Sequence, residues 1–161
     1  MNLLGNTQEA LENLKIGAFL TVKNGSKVNT MTIGWGSIGY MWEGKPYFTV
    51  MVRPSRYTFD LIKDATDFTV SIPVGTLSEE LKICGTKSGR DMDKGEVVKF
   101  ENANKTESPI VSGCQMYYEC KIETKSLFTA SDFSDEIKES IYKDKQYHGL
   151  FFGKIMDYYE R

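Results

Sequence analysis

The chain has 161 residues, 40% apolar and 26% charged, a balance that excludes intrinsic disorder. A chain of this length buries roughly 70% of the surface its extended form exposes, which suits one packed domain over residues 1–161. Twenty Lys and Arg against 22 Asp and Glu give a net charge of −2, with the cations spread along the chain, so a nucleic-acid partner is not expected. The best apolar run, Tyr47 to Val52, stops at Arg53, far short of the roughly 20 residues of a membrane helix. The first residues carry neither a basic stretch nor a long apolar one, so neither a membrane nor an export signal is expected. Cys84, Cys114 and Cys120 are an odd number at no metal-ligand spacing. Cys114 and Cys120 fall on one predicted strand about 20 Å apart, beyond the ~7 Å a disulfide spans, and a reducing, cytoplasmic setting follows.

In chain order, Thr7 to Ile16 reads as a short amphipathic helix stopped by Gly17. Ala18 to Val22 is strand-like, Asn24-Gly25 is a hairpin turn, and a second strand runs from Val28 to about Met41. Tyr47 to Arg53 alternates, with Phe48, Val50 and Val52 on one face. Ser55 is a candidate N-cap for a helix through Thr58, Leu61, Ile62 and Ala65. Phe68, Val70 and Ile72 mark another strand, and Thr76 to Glu79 matches a capping box for a helix ending at Gly85. From Ile110 the alternation puts Cys114, Met116, Tyr118, Cys120 and Ile122 on one side, with Gln115, Tyr117, Glu119, Lys121 and Glu123 on the other. A short helix from Asp135 to Tyr142 behind Ser134 and a last strand from Gly149 to Met156 close the chain. Six or more mostly antiparallel strands without βαβ alternation favour a small Greek-key barrel over a doubly wound sheet.

Several familiar signatures fail on context. Gly34-Trp35-Gly36-Ser37-Ile38-Gly39 spells the dinucleotide fingerprint, but no helix follows its last glycine. Gly85-Thr86-Lys87-Ser88 lacks the glycines of a phosphate-binding P-loop. His148 is the only histidine, so a histidine-based metal site has no companions, and no GxSxG motif supports a serine triad.

Three segments carry chemistry. With period two, Thr30, Thr32, Gly34 and Gly36 share one strand face, a bench without bulk on which a flat ring can lie; Met31, Ile33 and Trp35 take the other face. The alternative is a bulged barrel strand with space-saving glycines. Arg53 to Thr58 joins a strand to a helix start and offers Ser55, Arg53 and Arg56 to an anion, against the reading of an ordinary cap with solvated arginines. Cys84 to Asp91 places two glycines among hydroxyl and basic groups, a phosphate-facing loop.

At Asn29 to Gly36, Val52 to Thr58 and Cys84 to Asp91, and at His148 to Ile155, the chain resembles the flavin reductase-like family of FMN-binding split barrels, especially its flavoredoxin-like branch. That resemblance implies a mainly β fold, a six-stranded antiparallel Greek-key split barrel with a few short flanking helices, and a homodimer with FMN near the subunit interface. By position it implies that Asn29, Thr30, Met31 and Thr32 border the isoalloxazine through backbone groups. Arg53, Ser55, Arg56, Thr58, Lys87 and Ser88 would serve the phosphate or ribityl chain, and His148 would approach the flavin. Trp35 matches a family position, while the alternation turns it toward the core. The implied activity is that of an oxidoreductase in which NAD(P)H passes hydride to flavin N5. No side-chain acid or base is demanded, and no metal. The alternatives are a flavoredoxin-like carrier fed by a redox protein, a non-enzymatic FMN-binding protein, a related barrel for pyridoxal phosphate or haem with His148 as ligand, and a generic interaction domain.

Overall fold

A computed structural model describes residues 2–161. Helix α1 (Thr7–Leu14) opens where the Asn6 side chain accepts the Glu9 N–H. Strands β1 (Ala18–Asn24) and β2 (Lys27–Ile33) form the hairpin expected at Asn24-Gly25. Next come β3 (Gly36–Met41), β4 (Lys45–Val52), α2 (Tyr57–Ile62), β5 (Asp67–Ile72) and α3 (Ser78–Thr86). Two short strands, β6 (Phe100–Glu101) and β7 (Ile110–Val111), pair with each other. The long strand β8 (Met116–Leu127), α4 (Asp135–Ser140) and β9 (Gly149–Glu160) complete the chain.

The main sheet has seven strands in the order β2-β1-β5-β8-β9-β4-β3, and every neighbouring pair is antiparallel. This corrects the expected six-stranded barrel in two respects. The single strand from Val28 to Met41 is two strands, bent at Gly34-Trp35, and no ladder joins β2 to β3, so the barrel is not closed. The bend carries the chain from one edge of the sheet to the other within two residues, which curls the sheet. Gly36 lets β3 approach β4, since a Cβ there would lie 2.9 Å from the Thr49 carbonyl oxygen.

Alternation sends Leu20, Val22, Phe48, Val50, Val52, Phe68, Val70, Ile72, Met116, Tyr118 and Phe151 into the core enclosed by the curl. A second cluster lies on the outer face, where Phe19, Leu81, Cys84, Val98, Ile110, Val111 and Tyr117 join α3 and the 97–114 excursion to β1 and β8. Strands β1 and β5 are therefore buried on both faces over most of their length. Glu119, on the side of β8 opposite Tyr118 and Cys120, is fully buried; its carboxylate accepts the Asn104 N–H and the Tyr159 hydroxyl, both at 2.8 Å, and the Lys105 N–H. The Thr76 capping box does not form either: Leu77, in the left-handed region at φ 55°, occupies the cap position. Helix α3 also runs through Gly85 to Thr86, because its inner face is held against β2.

Candidate functional site

Strand β2 is an edge, so every second residue leaves its backbone N–H and C=O without a strand partner. The two-residue hairpin turn sets the phase: Thr30 and Thr32 point these groups away from β1. The Lys94 ammonium confirms the direction by donating to the Thr30 carbonyl at 3.1 Å and to the Cys84 carbonyl at 3.2 Å. Lys94 is 2% exposed, and burial pulls its pKa below the ordinary lysine value. Two adjoining cavities, of about 200 and 150 Å³, follow this edge and share Met31 and Arg56 as walls.

The first cavity is lined by Met31, Thr32, Ile33, Gly34, Trp35, Met51, Arg53, Arg56 and His148. Its apolar surface comes from two methionines and an indole, and its charge from two guanidiniums. Arg53 is clipped to Asp144 at 2.8 Å and to the Ile141 carbonyl at 3.1 Å, whereas Arg56 reaches only the Gly85 carbonyl, at 3.5 Å. Burial, then Arg53 and Arg56, push His148 down to about 4, so its imidazole is neutral at pH 7.

The second cavity gathers Asn29, Ser55, Thr58, Lys87, Ser88 and Arg90 around Met31 and Arg56. The Asn29 amide donates to the Thr58 hydroxyl at 2.9 Å, fixing β2 against α2. Ser55 is not the cap of α2; Arg56 stands there without a side-chain bond. The Ser55 carbonyl instead accepts from Arg90, which is also paired with Asp60 at 2.6 Å. Gly89 ends this cavity: a Cβ there would fall 2.2 Å from Asn29 Oδ1 and 2.5 Å from the Tyr57 ring, so the loop crosses the groove in contact with both. A wider, shallower hollow of about 660 Å³ begins beyond that crossing.

Ten of the eleven residues expected from the sequence line these two cavities; the side chain of Thr30 does not. Its hydroxyl is buried against the Thr21 hydroxyl at 2.9 Å and the Leu20 carbonyl at 3.2 Å. Thr32 likewise donates to the Leu81 carbonyl, at 2.5 Å. The threonine side of β2 is therefore covered by α3 and is not the bench; the edge presents backbone groups and Met31 instead. Trp35 is 51% exposed and faces the first cavity rather than the core, because the bend at Gly34 breaks the period-two count. Met51 and Lys94 also line the cavities, unannounced by the sequence motifs. Met51 was legible, being opposite Val50 and Val52; a lone lysine in a polar stretch carries no such signal.

The two cavities thus line an edge strand with methionine and indole surface, cations and hydroxyls. The flavin reductase like domain family matches residues 17–161, and the chain belongs to it. It is 29% identical over 106 residues to an uncharacterised protein of Archaeoglobus fulgidus, covering 65% of this chain and 59% of that one, so the chain spans less than two thirds of that relative. Among solved structures, flavoredoxin from Methanosarcina acetivorans superposes with TM-score 0.72 at 22% identity, covering 90% of this chain and 68% of the other. An FMN-binding protein from Thermus thermophilus, with bound p-hydroxybenzaldehyde, gives TM-score 0.69 at 25% identity, covering 90% and 71%. A Streptomyces globisporus NADH:FAD oxidoreductase gives 0.67 at 16% identity, covering 90% and 74%. No helix of the described residues is long and apolar enough to cross a membrane.

Proposed function

We propose that this chain is an FMN-dependent oxidoreductase, an NAD(P)H-dependent flavin reductase working as a homodimer in a reducing, cytoplasmic setting. The observation that carries the reading is the pair of adjoining cavities along β2, the first combining Met31, Met51 and Trp35 with Arg53, Arg56 and His148, the second combining Arg56, Lys87 and Arg90 with the Ser55 and Ser88 hydroxyls. A cofactor with a flat polar ring and a phosphate tail matches that lining. The donor set fits FMN: backbone groups of Thr32 would hold a ring edge, while Arg56, Lys87 and the Ser55 and Ser88 hydroxyls would hold the phosphate and ribityl chain. The end wall at Gly89 agrees with a mononucleotide. Held there, FMN would supply two-electron redox chemistry between a nicotinamide donor and an acceptor. In this reading the chain binds and orients the cofactor and excludes water, and its one histidine is neutral at pH 7. The NADH:FAD oxidoreductase neighbour supports a nicotinamide donor, and the three buried, free cysteines support the reducing setting. Exposed Trp35 and Trp42 support a partner copy, since exposed aromatic surface of this kind is enriched at interfaces.

The test is the visible spectrum of the purified chain with added FMN, before and after anaerobic NADH or NADPH. Bound flavin that bleaches with either nicotinamide is the expected result. Bound flavin that bleaches with neither points to a flavoredoxin-like carrier fed by a protein donor, and a chain that takes up no FMN overturns the reading.

A further inference from the structure

The 21 residues between β8 and β9 leave the sheet and return at His148, whose ring lies 5.5 Å from that of Trp35 at the mouth of the first cavity. The excursion brings Tyr142 against His148, with the phenol oxygen 2.6 Å from Nδ1. Tyr142 is 3% exposed, and Nδ1 is the one side-chain acceptor within hydrogen-bond reach of its hydroxyl among the described residues. A buried hydroxyl proton without an acceptor carries its whole desolvation cost, so the Tyr142 O–H donates to Nδ1 and the imidazole proton resides on Nε2. Among the described residues the one buried side-chain polar atom without a partner is Thr49 Oγ1. Nε2 therefore keeps an opening, and the cavity His148 lines with Trp35, Arg53 and Arg56 provides it.

The charged groups facing this imidazole are Arg53, after β4, Arg56, before α2, and Asp144, on the excursion. Burial and the two guanidiniums oppose a proton on His148, and Asp144, occupied by Arg53, offsets them only in part. Tyr142 is held in place from three sides: ring centroids of Phe133 and Tyr147 lie 4.6 and 5.2 Å from its own, and the Arg53 guanidinium lies over it at 5.4 Å.

We propose that Tyr142 is a positioning residue that holds the His148 ring with its proton on Nε2, aimed into the first cavity, where it donates to an acceptor atom of a flat heterocycle. That the heterocycle is a flavin rests on the function proposed above; the tautomer does not.

The chain has a single histidine, so nitrogen-15 NMR of its ring needs no assignment. In the ligand-free chain at pH 7.5 we expect the Nε2–H pattern, unchanged down to about pH 5. In Tyr142→Phe, Nδ1 loses its donor, the two tautomers mix, and the titration midpoint rises by about one unit. FMN affinity of this variant, read by flavin fluorescence quenching, is expected to fall about tenfold while the native chain binds normally. An Nδ1–H pattern in the native chain, or a Tyr142→Phe spectrum identical to it, overturns the proposal, as does undiminished FMN affinity in the variant. The expected NMR pattern in a chain that never takes up FMN overturns the flavin reading and leaves the positioning of His148 supported.

Discussion

His148 makes the stability of this chain depend on pH. Its pKa is about 4 in the folded chain against an ordinary value of 6.5, so between those values the unfolded chain binds a proton that the folded chain refuses. Folding stability therefore falls as the pH drops from about 6.5 to 4, by up to ~3 kcal/mol from this one group, and is fully present above 6.5. His148→Asn removes that contribution. Urea midpoints of the variant and native chain, compared at pH 7.5 and 5, should show the native chain losing more on acidification; parallel losses would refute the assignment. Lys94 is a second buried residue at odds with its type, an ammonium enclosed by protein and satisfied by two carbonyls. It occupies the unpaired edge of β2 as a neighbouring strand would, and it ties that edge to α3.

Elements are held together by polar stripes as much as by the core. On the outer face of β5, the Asp67 carboxylate accepts the Glu107 and Ser108 amides, the Thr69 hydroxyl donates to the Pro109 carbonyl at 2.6 Å, and Ser71 Oγ accepts the Val111 N–H at 3.1 Å. Glu119 on β8 continues the stripe. Together they satisfy the backbone of segment 104–111, of which only Ile110 and Val111 have a strand neighbour. Glu119→Gln replaces one acceptor oxygen by a donor facing a backbone N–H. We expect about 2–4 kcal/mol of destabilisation, seen as a lower urea midpoint at pH 7.5 with little change in FMN affinity, because the stripe lies away from the groove. These positions show where the sequence was readable and where it was not. The alternation of Phe68, Val70 and Ile72 announced one buried face; nothing in Asp67, Thr69, Ser71 or Glu119 announced that the other face is covered too. A short polar residue facing water and one facing a loop's amides look alike until the loop is placed.

At the scale of the molecule, the groove is built along the β2 edge of the curled sheet, between α3 and the 53–58 turn. A ligand seated there adds contacts to β2 that the unfolded chain lacks. With free FMN at 100 times its dissociation constant, binding adds about 2.7 kcal/mol, which for a chain of this size raises Tm by roughly 5–11 °C. Hydrogen exchange should slow at Thr32 with FMN, while the amides of β5 and β8, between strand neighbours on both sides, are already the slowest. A Tm that does not respond to FMN contradicts the site.

The amino-acid sequence by itself determined the mainly β class, the hairpin at Asn24-Gly25 and the inner faces of the strands, because period-two burial and turn chemistry are local properties of the chain; its resemblance to a family supplied the eleven expected site residues, ten of which line the groove. Only the tertiary structure decided that the sheet has seven strands and does not close, that Trp35 turns outward, and that the groove presents the backbone of β2 rather than its threonine side chains. Those outcomes depend on the bend at Gly34 and on α3 covering one strand face. Both depend on which segments meet across the fold, and such long-range pairing is set by packing rather than by any residue's near neighbours in sequence.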